Sequence, residues 1–343
     1  MADERAVIAR RQGRAGRITL NRPRALNALD LPMIHAITSA LELWRDDPSV
    51  HFVVIEGAGE RAFCAGGDVR SIRLGVLDEE SDGDERDGIE SFFVHEYTLN
   101  RTIARYPKPY VALIDGLWMG GGVGVSMHGS IRVVSEHAQF AMPEVQIGMF
   151  PDVGASFVLP RVRGAFGLYL GLTGARVGGA DACWLGLATH FVPRASMAGL
   201  ADALAEHGLG ALIERAERPP PGELPALAAP VAAAFGADSV AAIMAALDRM
   251  DHDWARLTLA SMRSASPTSL LWTFDLLRAG ATRTLEQCQR AELLLTRAAV
   301  RHPDFAEGVR AMVIDKDRQP RWSPARLEDI DPDAVAASLL GVG

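Results

Sequence analysis

The sequence has no excess of basic residues. Its 35 Lys and Arg face 43 Asp and Glu, a formal charge of −8, and the pI is near 5.6. That balance offers no cationic footprint for nucleic acid, so an anionic ligand has to be held by backbone N–H groups and a few local bases. Cysteine is scarce as well. Cys64, Cys183 and Cys288 are widely separated, with no CxxC and no histidine at metal-ligand spacing. This argues against a disulfide framework and against a zinc site, and reduced thiols in a cytoplasmic protein are the expectation. Long apolar runs are missing too: the least polar stretch is interrupted by glycines, His128 and Arg132, and the opening MADERAVIARRQGR lacks an apolar segment. Neither a secretion signal nor a membrane span is expected. What is present is 343 residues, 48% of them hydrophobic, enough for one large domain with an appendage or for two domains.

The most informative stretch runs from Leu117 to Gly154. Gly120, Gly121, Gly122 and Gly124 follow a strand-like run, Pro109 to Asp115, and precede small residues suited to a buried helix. Backbone N–H groups at such a start are unobstructed by side chains and can face an anion or a developing oxyanion. Tight packing of a helix on a strand explains the same glycines. Downstream, Glu144 and Asp152 lie among Met142, Pro143, Val145, Ile147, Met149, Phe150, Pro151 and Val153, surroundings that resist ionising both acids at once. A capped turn with a salt bridge is the structural alternative.

Taken in order, Ala6 to Ile8 and Ile18 to Leu20 read as paired strands around a turn at Gly13 and Gly16. Asp30 caps a helix with an early proline, Pro32, that ends at Asp47-Pro48. Phe52 to Ile55 suits a strand buried on both faces. Arg61 to Val69 is a second strand-to-glycine turn, in which Gly67 can supply another open N–H, or Asp68 can simply cap a helix. Residues 75–88 form an acidic, glycine-containing surface loop, and Glu90 to Arg105 a helix on which Glu96 reads, from position alone, as solvated. The order strand, glycine turn, helix, strand occurs near residues 52 and 111, a weak repeat that argues for an α/β core with right-handed crossovers. Beyond Gly154 helical segments dominate, Pro219 to Gly222 marks a linker, Ser266-Pro267 and Thr284 open helices, and the bases of IDKDRQPRW fit a solvated face.

Together, ITLNRPRALNALD, AFCAGGDV, KPYVALIDG with its GGG, and the PE of AMPEVQIG resemble the crotonase (enoyl-CoA hydratase/isomerase) superfamily. MGGGVGVSMHG, FAMPEVQIGMFPDVG, LPR, LTG, ATHFVP and EGVRAMVIDKDRQPRWSP are most similar to its 3-hydroxyisobutyryl-CoA hydrolases. The resemblance implies an α/β fold, a spiral of ββα units with a C-terminal helical region, divided into an acyl-CoA-binding core over 1–195 and a helical region over 196–343. It implies an oxyanion hole at Gly67 and Gly121, a CoA site bordered by Arg24, Ala25, Ala28, Ala65, Gly66, Gly67 and Asp68, catalysis by Glu144 and Asp152, and substrate contact by Glu96, Gly121, Glu144 and Asp152. No cofactor or metal is implied, CoA being part of the substrate. A place in valine catabolism and a homo-oligomer, trimer or hexamer, are implied as well.

One departure decides among activities. Hydratases of the superfamily carry a catalytic Glu just after the glycine triplet, where this chain has Gly124, while the second acid is retained as Glu144. Hydration needs a pair of groups, so the loss favours thioester hydrolysis. An enoyl-CoA hydratase or isomerase and a non-catalytic acyl-CoA-binding protein are the alternatives. Ala155-Ser156 also replaces the glycine-rich sequence that many of the hydrolases resemble one another in having after FPDVG.

Overall fold

The structure is a computed structural model that describes residues 4–69 and 86–331. By its contacts the chain divides into two units, one made of Met1–Gly67, His95–Ala141 and Arg176–Glu223, the other of Asp68–Val94, Met142–Ala175 and Leu224–Gly343.

In the first unit the hydrophobic runs become two sheets. Strands β1 (Val7–Gln12) and β2 (Ala15–Leu20) form an antiparallel hairpin, so Gly16 lies within β2 and not in the turn. Its missing side chain admits the Trp44 ring, which sits where a Cβ would be. Then β3 (Phe52–Gly57), β5 (Tyr110–Ile114), β7 (Ile131–Val134) and β10 (His190–Phe191) extend the sheet in parallel, in the order β1-β2-β3-β5-β7-β10. The short strands β4 (Ala62–Cys64), β6 (Leu117–Met119), β8 (Gln139–Ala141) and β9 (Val177–Gly178) make a second sheet in that order. Thus β3–β4, β5–β6 and β7–β8 each send their first strand to the larger sheet and their second to the smaller. The order strand, glycine turn, helix, strand that the sequence displays at residues 52 and 111 thus gains a second strand in each repeat, and β7–β8 form a third such pair.

Helix α1 (Leu31–Arg45) starts at Asp30, whose carboxylate accepts from Met33 N at 2.9 Å, and buries Met33, Ile34, Ile37, Leu41 and Trp44. Helix α2 spans Arg86–Ala104, so the last three residues of the acidic segment at 75–88 are helical, while 75–85 lie outside the described residues. The boundary expected at 195/196 falls inside the first unit. The helix Leu200–His207 buries Leu200, Ala201 and Leu204 against Ala15, Phe52, Val54 and Val111 of the larger sheet, and that apolar contact outweighs sequence position.

The second unit is helical in its C-terminal part. Tyr169, Phe235 and Trp254 pack with ring centroids 5.5 to 6.5 Å apart. Ser266 caps Pro267–Gly280 by accepting from Ser269 N, and Thr284 and Gln287 form a reciprocal capping box at the start of Leu285–Ala299. No helix among the described residues is long and apolar enough to cross a membrane.

Candidate active site

In the first unit the glycines converge. β6 leads through Gly120, at φ +47, into helix α3 (Gly121–Met127), every residue of which is buried. A Cβ on Gly121 would stand 2.5 Å from Glu96 Oε1, 3.2 Å from Leu29 Cδ1 and 3.3 Å from Gly67 N. The bare Gly121 backbone therefore leaves a small space bordered by the Gly67 amide and the Glu96 carboxylate. The Gly67 and Gly121 N–H groups have no hydrogen-bond acceptor among the described residues. Two such donors beside one space can stabilise an oxyanion.

The turn that presents Gly67 is held by the loop preceding α1. Ala65 N donates to Leu26 O at 3.0 Å, Leu29 N donates to Gly66 O at 2.8 Å, and Leu29 pairs with Gly67 as an isolated parallel bridge. Asn27, fully buried at φ +57, donates to Ala58 O and Ala62 O, both at 2.9 Å, and accepts from Arg22 N at 3.0 Å. Arg24 and Ala25 lie on the 3-10 turn Pro23–Ala25, and Ala28 O accepts from the Arg22 guanidinium at 2.9 Å. The residues matched to a CoA border, Arg24, Ala25, Ala28, Ala65, Gly66 and Gly67, are thus brought together on two interlocked loops; Asp68 follows in the second unit.

Glu96 is 2% exposed. The solvated position suggested by its helix alone is corrected: it lies on the face of α2 that also buries Tyr97, Leu99 and Asn100. Burial, with the Glu96 charge adding to it, pushes the Cys64 thiol up to about 12, so no thiolate nucleophile is available there at neutral pH.

The second unit holds the other acids. Glu144 opens a 3-10 turn, Glu144–Ile147, fixed from several sides. Ser266 N donates to Val145 O at 3.1 Å and the Gln146 amide to Ser261 O at 3.2 Å. Gly308 of the EGVRA motif packs so closely that a Cβ would come 2.5 Å from the Ile147 backbone. Although the Glu144 residue is partly exposed, its Oε2 is sealed and has no hydrogen-bond partner among the described residues. Burial raises its pKa well above the usual carboxylate range, and the Asp152 charge raises it further.

Asp152 is 6% exposed and precedes Val153 at φ +52 and Gly154 at φ +87. A β-branched residue in the left-handed region stores about 1–3 kcal/mol of strain. Beneath this turn lies Glu292, which the sequence reading missed. It is fully buried on Leu285–Ala299 and accepts from Gly154 N at 2.7 Å, Ser156 N at 2.9 Å and Ser156 Oγ at 2.5 Å. Burial pushes Glu292 up to about 8, Ser156 and Gly154 pulling down and Asp152 up. Its signal was present in the sequence: Glu292 stands at helical spacing between Cys288 and Leu295 on the apolar stripe.

The described residues contain no cluster of three or more His, Cys, Asp or Glu able to hold a metal ion. The bases of the C-terminal turn are peripheral: Arg310 pairs with Glu307, Asp315 and Asp317, while Lys316, Arg318 and Arg321 are exposed.

The family model described as enoyl-CoA hydratase/isomerase matches residues 15–339. The chain is 42% identical to the mitochondrial 3-hydroxyisobutyryl-CoA hydrolase of Xenopus laevis, over 96% of this chain and 88% of the relative. It is 40% identical to the human protein of the same name, over 98% and 89%. Among solved structures, a carnitinyl-CoA dehydratase from Mycobacterium thermoresistibile superimposes with TM-score 0.92 at 38% identity, covering 98% of this chain and 96% of that one. An enoyl-CoA hydratase from Rhodobacter sphaeroides gives 0.88 at 41% identity, covering 98% and 97%.

Proposed function

The chain belongs to the enoyl-CoA hydratase/isomerase family, and within it we propose that it hydrolyses 3-hydroxyisobutyryl-CoA to the free hydroxy acid and CoA. The observation that carries this reading is the pairing of a sealed Glu144, its pKa raised, with a neighbouring Asp152, while Gly124 occupies the position of the first hydratase acid. The names of relatives about 40% identical over nearly the whole chain support the same substrate.

In the proposed reaction the thioester oxygen accepts from Gly67 N–H and Gly121 N–H as it gains charge. Glu144 takes a proton from water, the new C–O bond forms, and the tetrahedral adduct expels CoA as the C–S bond breaks, the sulfur recovering the proton. Attack by the same carboxylate, through an anhydride that water opens, reaches the same products. A single turnover in 18O-water separates the routes, because opening the anhydride at its Glu144 carbonyl labels the protein. Asp152 orients the acyl 3-hydroxyl or shares a proton with Glu144, and Glu96 completes the acyl side. The Arg24–Ala28 loop and the Ala65–Asp68 turn border CoA. No cofactor is required, and the chain acts as a homo-oligomer, a trimer or hexamer, which light scattering reads directly.

The test is release of free CoA from 3-hydroxyisobutyryl-CoA by wild type, Glu144→Gln and Asp152→Asn, with binding measured separately. Bound substrate without turnover in Glu144→Gln supports the reading; undiminished turnover refutes it. The two solved relatives named as a dehydratase and a hydratase favour a second reading, reversible hydration. Hydration of crotonyl-CoA with no release of CoA would establish that one instead.

A further inference from the structure

The Asp152 turn is gripped from the C-terminal helices. Glu292 spans it with three contacts, Oε2 receiving Gly154 N and Oε1 receiving both Ser156 N and Ser156 Oγ. Gly280, at the end of Pro267–Gly280, lies against Ser156 O so closely that no Cβ could be added. Arg161 then ties the following turn to the same helix end, donating to Phe157 O at 2.6 Å, Gly280 O at 2.9 Å and Arg283 O at 2.9 Å. Between Asp152 and these anchors stands Val153 at φ +52, a conformation that a β-branched residue keeps only when its surroundings impose it.

We infer that Glu292 is a positioning residue for Asp152: its carboxyl group holds Gly154 and Ser156 so that Val153 stays in the left-handed region and the Asp152 side chain keeps its place beside Glu144. Asp152 is the residue that acts on substrate, and Glu292 acts through it. The catalytic consequence rests on the hydrolytic reading above; the grip itself does not.

The substitution Glu292→Gln is the discriminating one. One amide oxygen still receives Ser156, but the NH2 group faces Gly154 N–H donor to donor, so the Gly154 anchor is lost with little change in volume. Two readouts are taken on the full-length protein. Amide hydrogen exchange at Gly154 and Ser156 reports on the grip without reference to activity, and exchange faster than in wild type is expected there while the Phe52–Gly57 strand is unchanged. With 3-hydroxyisobutyryl-CoA, kcat is expected to fall about 10–100-fold with KM within about threefold, the pattern of a displaced catalytic group.

Adding Val153→Gly to Glu292→Gln is the rescue. Glycine adopts positive φ without strain, so the turn regains its shape without the anchor and kcat recovers by about threefold or more. Unchanged exchange, unchanged kcat, or a loss that Val153→Gly leaves untouched would each overturn the inference. Should Asp152→Asn prove as active as wild type, the role given to Asp152 in the proposed reaction fails, and the exchange measurement still decides whether Glu292 holds the turn.

Discussion

Replacing Gly121 by alanine separates the proposed oxyanion site from the stability of the fold. The added methyl would lie 2.5 Å from Glu96 Oε1, 3.2 Å from Leu29 Cδ1 and 3.3 Å from Gly67 N. Glu96 Oε1 is the far end of a side chain and can swing, and Leu29 can yield a few tenths of an ångström. The methyl then remains in the space that the Gly67 and Gly121 N–H groups border, where the proposed reaction places the carbonyl oxygen. Loss of one oxyanion donor costs on the order of 10²–10³ in kcat, about 2.7–4 kcal/mol. Stability runs the other way, because alanine is favoured over glycine in a helix by up to about 1 kcal/mol. The variant is therefore expected to melt within a few degrees of wild type while its turnover collapses. Gly210→Ala is the control, since a Cβ there meets nothing within 4 Å. The paired assay is thermal unfolding by circular dichroism alongside thiol release from 3-hydroxyisobutyryl-CoA. Turnover of Gly121→Ala within about threefold of wild type, equivalent to ~0.7 kcal/mol, would refute the placement of the carbonyl.

Further outcomes follow from the buried acids and the loop beneath the cradle. In the proposed reaction ionised Glu144 is the active form, and Asp152 raises its pKa. The ascending limb of the kcat/KM profile should therefore move to lower pH in Asp152→Asn, read on its residual activity; an unmoved limb would exclude the coupling. Glu292, raised from 4.5 to about 8 with Asp152 and the Cys288 thiol beside it, binds more protons folded than unfolded between those values. Its contribution to stability is thus complete below the lower value and declines as pH rises through the upper one, with a slope of at most ~1.4 kcal/mol per pH unit. The stability difference between wild type and Glu292→Gln, measured by urea titration, should be larger at pH 5 than at pH 8. Asn27→Ala should cost about 2–4 kcal/mol by the same titration, from three lost hydrogen bonds and an alanine left at positive φ.

The hairpin, α1, the buried strands β3 and β5 and the capped helices at Ser266 and Thr284 were legible because each carries a local signature: alternation, a side-chain cap, or a continuous β-branched run. The three-residue strands β6 and β8 were not. Each is too short for periodicity to register, and each exists because its partners lie beside it in the second sheet. The same limit explains Glu96. On a helix whose neighbours are unknown a carboxylate reads as solvated, and only the packing of α2 reveals it as buried. The cradle itself was legible through its glycines, since the need for a bare backbone at Gly121 is written in the residue type.

The acidic turn teaches a different lesson. Ala155-Ser156 stood out in the sequence as a departure from the glycine-rich pattern that follows FPDVG in many of the hydrolases. In the folded chain Ser156 is committed elsewhere, with both its N–H and its hydroxyl given to Glu292 Oε1. The serine thus adds a third donor to a buried carboxyl group that would otherwise lack one, and leaving such a group short costs about 1–3 kcal/mol. The side chain and the acid some 136 residues later therefore form one feature, which no local reading could assemble. The departure is thus explained as a change in how the Asp152 turn is anchored. In the proposed reaction substrate range and turn rigidity are accordingly separate properties, the first assigned to Glu96, Glu144 and Asp152 and the second to Ser156 and Glu292.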